Sequence, residues 1–119
     1  MNVTEQARQA YAPTQVPIRT PRSVEAQVLS QITARLKRAA DFPALAAAIH
    51  DNRRLWAMLA ADVATAANGL PAELRAQIFY LAEFTDQHSG KVLRRLATPE
   101  ALVDINTAVL RGLNQRDGA

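Results

Sequence analysis

Apolar side chains recur every three to four positions through four stretches of this 119-residue chain, and proline or an asparagine–glycine pair punctuates the gaps. Thr20-Pro21 is a start signal, a capping hydroxyl followed by proline at the first helical position. The spacing predicts a helix from there to about Ala40, with Val28, Leu29, Ile32, Leu36 and Ala39 on one face. Asp41 is placed to cap a second helix that tolerates Pro43 in its first turn. Its stripe is Leu45, Ala48, Ile49, Leu55, Trp56, Leu59 and Val63, and it is expected to reach about Ala67 and stop at Asn68-Gly69. Leu70-Pro71 opens a third helix on Leu74, Ile78 and Leu81, flanked by Phe84. Gly90 is expected to end or loosen it, yet Val92 and Leu96 stay in phase, so continuation to Leu96 is also open. Thr98-Pro99-Glu100 starts a fourth helix, with Leu102, Ile105, Val109 and Leu113 on one side.

No segment alternates with a period of two, so no strand is predicted. The expected fold class is all-α: a compact antiparallel helical bundle of four main helices plus a short N-terminal helix or arm. Residues 4–11 suit that short helix, and the prolines from Pro13 to Pro21 make a semi-rigid connector. The organisation is therefore an arm over 1–20, a single helical domain over 21–113 and a polar tail over 114–119.

Some polar residues fall on the apolar faces. Asn52 projects into the middle of the second helix's stripe, with Arg53 at its edge and Arg54 on the opposite side. Asn106 sits among Leu102, Ile105, Val109, Leu110 and Leu113, while Gln77 and His88 fall within or beside the third stripe. Glu25 lies on the apolar side of the first. A buried polar group without a partner costs about 1–3 kcal/mol, so each needs one. Two readings stand: internal hydrogen bonds between helices, or a groove that takes another protein's helix and fixes its register. The indole N–H of Trp56 also needs a partner, and Asn52, one turn earlier, is placed to supply a carbonyl. Phe79 projects away from the main stripe and marks either a contact patch or a surface covered by the N-terminal arm. His88 reads as a partner for helix-terminal carbonyls.

Composition narrows the chemistry. The chain has no cysteine, and its two histidines lie far apart in sequence, so neither a disulfide framework, a thiolate nucleophile nor a metal centre is expected. No glycine-rich phosphate loop, HExxH motif or plausible Ser/His/Asp order occurs, and no enzyme or cofactor is expected. The net charge is +3, from 14 basic against 11 acidic residues, and the cations are spread rather than clustered as phosphate binding requires. No run of apolar residues is long enough to span a membrane, and the polar N-terminus lacks a signal peptide's apolar stretch, so a cytoplasmic location is expected.

Four segments carry a resemblance. PRSVEAQVL (21–29), NRRLWAMLAADV (52–63), NGLPAELRAQIFYLAEF (68–84) and LVDINTAVLRGL (102–113), in this order and spacing, resemble the flagellar biosynthesis regulator FlaF family, and QAY (9–11) is similar to that family's opening. The resemblance implies a small cytoplasmic protein that promotes flagellin production, binds flagellin before export like a secretion chaperone, and works alongside the translational regulator FlbT. It transfers no binding residue. The expected partner site comes from the helix projections: a groove between the second and third long helices, floored by Trp56 and Leu59. Asn52 and Arg53 would set register on one side, and Arg75, Gln77 and Phe79 on the other. The alternative is post-transcriptional regulation, acting on flagellin mRNA through Arg53, Arg54, Arg75, Arg94 and Arg95, or acting through FlbT.

Overall fold

Asp41 begins the most apolar helix as its sequence requires: its backbone is extended and its carboxylate accepts from the Ala44 amide at 2.9 Å, with proline in the first turn behind it. A computed structural model describes residues 21–65 and 69–118, and side chains within residues 25–112 of those. Its helices are α1 (Pro21–Arg38), α2 (Phe42–Val63), α3 (Ala72–Leu93) and α4 (Glu100–Gly118). No strand occurs among the described residues. The proposed helix over 4–11 and the connector lie outside them, as does the asparagine of the 68–69 signal. Gly69 itself adopts the expected left-handed backbone, φ 90°.

Each helix packs on its neighbours in a ring, α1 on α2, α2 on α3, and α4 on α1, with α3 and α4 making the slightest pairing. Arg53 of α2 meets Asp86 of α3 while Val63 meets Arg75, so residue numbers rise in one helix as they fall in the other. The pair is antiparallel. The core joins Leu29, Ile32 and Leu36 of α1 to Ile49, Leu55, Trp56, Leu59 and Val63 of α2, with Ile78 and Val92 of α3 and Leu102 of α4. Burying each large apolar side chain contributes about 1.5–3 kcal/mol.

The helix ends differ from the spacing in instructive ways. α2 stops at Val63 rather than near residue 67, because Thr65 turns both its amide and its hydroxyl onto the Asp62 carbonyl. α3 runs through Gly90 and ends at Leu93. There the Leu96 amide reaches back to the Lys91 carbonyl and the Arg95 amide to Val92, a Schellman closure with Arg95 in the left-handed position, φ 63°. An arginine is costly at that position, and its guanidinium lies 4.2 Å over the Phe42 ring, which offsets part of the strain. α4 extends through residues 114–118, which composition reads as a polar tail.

Candidate functional site

The centre of the bundle is polar. Trp56 is 1% exposed, and its Nε1 donates to Asn106 Oδ1 at 2.9 Å, while Asn106 Nδ2 donates to Asn52 Oδ1 at 2.9 Å. α2 and α4 face each other across the ring, so this relay ties them through the core. The indole's partner is therefore Asn106 rather than Asn52, which stands one bond further along. Both asparagines are fully buried and engaged internally. Asn52 Nδ2, Thr85 Oγ and Ser89 Oγ are also buried and have no hydrogen-bond partner among the described residues. By contrast, the buried Thr33 hydroxyl donates back to the Leu29 carbonyl at 2.6 Å.

A trough runs along the α2–α3 junction. Its first compartment, about 250 Å³, is lined by Arg53, Trp56, Ala57, Ala60, Phe79, Ala82, Glu83, Thr85, Asp86 and Gln87. A second, about 340 Å³, lies against Val63, Ala64, Ala72, Arg75, Ala76 and Phe79. Phe79, 45% exposed, belongs to both and divides them. The walls are shallow because α2 and α3 meet here through alanines, which leaves the half-exposed Phe79 ring standing as a ridge, while Trp56 lies beneath in the core.

Arg53 closes one end. Its Nη2 donates to the Asp86 carbonyl at 2.8 Å, and its buried Nε lies 3.2 Å from Asp86 Oδ1, close enough for an ion pair though off the hydrogen-bond line. The guanidinium lies beside Gly90, where a Cβ would stand 3.3 Å from Nη2. Arg75 marks the other end: it donates to the carbonyls of Leu70 at 3.2 Å, Val63 at 3.4 Å and Thr65 at 3.5 Å, so it covers the C-terminal end of α2.

Among the predicted site residues, Arg53, Trp56 and Phe79 line the first compartment and Arg75 and Phe79 the second. Leu59 is buried beneath, in the core, and Asn52 lies in the polar relay. Gln77 is exposed on α3 and lines neither compartment. Sequence projection missed the alanines and Thr85, since alanine signals no face and threonine reads as helix surface. His88 Nε2 donates to the Thr98 carbonyl, 2.9 Å away, and the ring stacks on Phe84 with centroids 5.5 Å apart.

Residues 7–113 match the family model described as flagellar protein FlaF. The chain belongs to the FlaF family. No curated protein and no solved structure matches it. This FlaF-family chain is thus a flagellar protein whose described residues form a bundle of four helices. No helix among the described residues is long and apolar enough to cross a membrane, and they hold no cluster of potential metal ligands.

Proposed function

We propose that the protein promotes flagellin synthesis and export by binding cytoplasmic flagellin as a non-enzymatic chaperone, with one amphipathic flagellin helix lying in the α2–α3 trough. The observation that carries this reading is the half-exposed Phe79 ridge between two apolar compartments, bounded by Arg53 and Arg75. The two compartments, about 250 and 340 Å³, lie at the low end of the roughly 300–1,000 Å³ of small-molecule sites, and a ridge divides them, which suits side chains of a docked helix better than a metabolite. The compartments are centred about seven residues apart along the α2 side, or ~10 Å, so the partner's anchors should recur about two turns apart.

The arginines lend less support to an RNA site. Arg53 is engaged by Asp86, Arg75 by the carbonyls that end α2, and Arg95 by the Phe42 ring. Calorimetric titration with monomeric flagellin, at low and high salt and with the flagellin RNA leader as competitor, tests the reading. One-to-one binding that survives salt and ignores RNA is the expected result. Salt-sensitive RNA binding without flagellin binding overturns it, and binding of flagellin only when FlbT is added assigns the contact to FlbT instead.

A further inference from the structure

The fold gathers cations that the sequence spreads. Arg95 lies over the Phe42 ring, which ties the end of α3 to the start of α2, and residues 39–41 alone separate α1 from α2. His88 near the end of α3 reaches the Thr98 carbonyl just before α4. The last turns of α1 and α3 and the first turns of α2 and α4 therefore share one end of the bundle. That end carries Lys37 and Arg38 from α1, with Lys91, Arg94 and Arg95 from α3 and its closing turn, all exposed. None of the five has a carboxylate partner among the described residues, whereas Arg35, also in the last turn of α1, pairs with Asp51 at 2.7 Å. The carboxylates in these turns are Asp41 and Glu100, and each stands at a helix N-terminus whose amides already balance its charge. This end is positive.

At its tip stands Leu96, 72% exposed. In a Schellman closure the residue whose amide reaches back commonly packs an apolar side chain on the last helical turn. Here that turn offers Lys91 and Gly90 instead, and the Leu96 side chain stays in solvent. Backbone bonds from Leu96 to Lys91 at 2.8 Å and from Arg95 to Val92 at 2.9 Å fix the loop that presents it. An apolar tip among cations matches the boundary between headgroups and acyl chains of an anionic bilayer, where phosphates meet the cations and the apolar group enters beneath them. RNA fits the charge but not the tip. Single strands bind by stacking bases on aromatic rings, and the Phe42 face at this end is already covered by Arg95.

We propose that this end of the bundle docks on an anionic phospholipid surface, with Leu96 entering the interface and Lys37, Arg38, Lys91 and Arg94 meeting headgroup phosphates. The docking is peripheral, since no described helix is long and apolar enough to cross a membrane. It stands apart from the flagellin reading: the trough runs along the α2–α3 side and stays open when the end is docked.

The test is co-sedimentation of the full chain with vesicles, phosphatidylcholine alone against phosphatidylcholine and phosphatidylglycerol mixed equally. Binding to the mixed vesicles only is expected. Each cation near an anionic surface is worth about fivefold, so Lys37→Gln with Arg38→Gln should lower partition about 25-fold. Leu96→Ser should lower it several-fold. Arg111→Gln removes an exposed cation on α4 well away from this end and should leave it unchanged. The chain has no cysteine, so Thr98→Cys takes a single environment-sensitive dye beside Leu96. Its emission should shift to the blue on the mixed vesicles, and a dye at Arg54→Cys, on the side of α2, should not shift. Failure to bind the mixed vesicles overturns the docking. So does partition indifferent to Leu96→Ser, or weakened as much by Arg111→Gln as by the paired change in α1. Oligouridine binding that needs Lys37 and Arg38, without vesicle binding, makes this end an RNA site instead.

Discussion

Asn106 stands between Trp56 and Asn52 and bonds both through opposite ends of one carboxamide. The direction is fixed by chemistry: the indole N–H can only donate, so the oxygen must face it and the NH₂ must face Asn52. The indole N–H, the Asn106 carboxamide and Asn52 Oδ1 are thereby paired across two helices, and the register of α4 against α2 is set by hydrogen bonds rather than by apolar packing alone. Asn106→Ala strands the indole N–H and Asn52 Oδ1 together and opens a small cavity. The expected loss is about 2–5 kcal/mol, read from urea unfolding followed by Trp56 fluorescence. Asn52→Ala strands only one of the bonds and removes an amide nitrogen already without a partner, so it should cost less. A double-mutant cycle should return a coupling of about 0.5–3 kcal/mol, and strict additivity would show that the relay does not act as a unit.

How much of this was legible in the sequence differs from residue to residue. Spacing placed Asn52 and Asn106 on core faces, because a polar residue in phase with leucines is conspicuous. It did not pair them, since which helices oppose each other across a bundle is a tertiary fact. The stripe of α3 was drawn through Leu74, Ile78 and Leu81, but its deeply buried residues are Ile78, Ala82, Thr85, Ser89 and Val92. Small residues bury well where two helices approach closely, yet their hydropathy gives little periodic signal. At the α2–α3 junction Trp56 and Phe79 stand out in the sequence, and the alanine walls that make the trough do not.

Arg95 gives a stability test with an unusual ordering. Its left-handed backbone costs roughly 1–2 kcal/mol for a residue with a Cβ, and its stacking on Phe42 returns about 0.5–1 kcal/mol. Arg95→Ala keeps the strain and loses the stacking, so it should lower the melting temperature. Arg95→Gly loses the stacking but relieves the strain and should come out near neutral or above the parent. Thermal unfolding of the two variants side by side reads the order, and an alanine variant as stable as the glycine one would mean the turn carries no strain.

Gly90 lies inside α3 with no left-handed backbone to require it, and the nearest atoms to an added Cβ are the mobile ends of Arg53 and Arg94, each at 3.3 Å. Gly112 in α4 has nothing within 4 Å of the same position. Replacing a mid-helix glycine by alanine is worth about 1 kcal/mol. Gly112→Ala should gain close to that amount. Gly90→Ala should gain less, because Arg53 must shift while holding the Asp86 carbonyl. Denaturant midpoints for both variants decide it, and a net loss at Gly90 would mean that the Arg53 position is more rigid than a flexible side-chain tip.

The trough and the arginines predict opposite outcomes for two exposed neighbours on α2. Ala57 lines the first compartment, whereas Arg54 points away from it and into solvent. Both sites are accessible, so Ala57→Glu and Arg54→Glu should each leave folding stability within about 0.5 kcal/mol. A flagellin helix in the trough must desolvate whatever stands at position 57, and a carboxylate there should weaken binding more than tenfold, at about 1.4 kcal/mol per decade. Arg54→Glu should leave that affinity unchanged. If RNA is the ligand instead, the order reverses, because Arg54 contributes a phosphate contact and its loss also reduces the salt slope by about 0.7. Titrating each variant with flagellin and with the RNA leader at two salt concentrations separates the cases. Trp56→Ala cannot do so, because its ring is part of the core and its N–H holds the polar relay together.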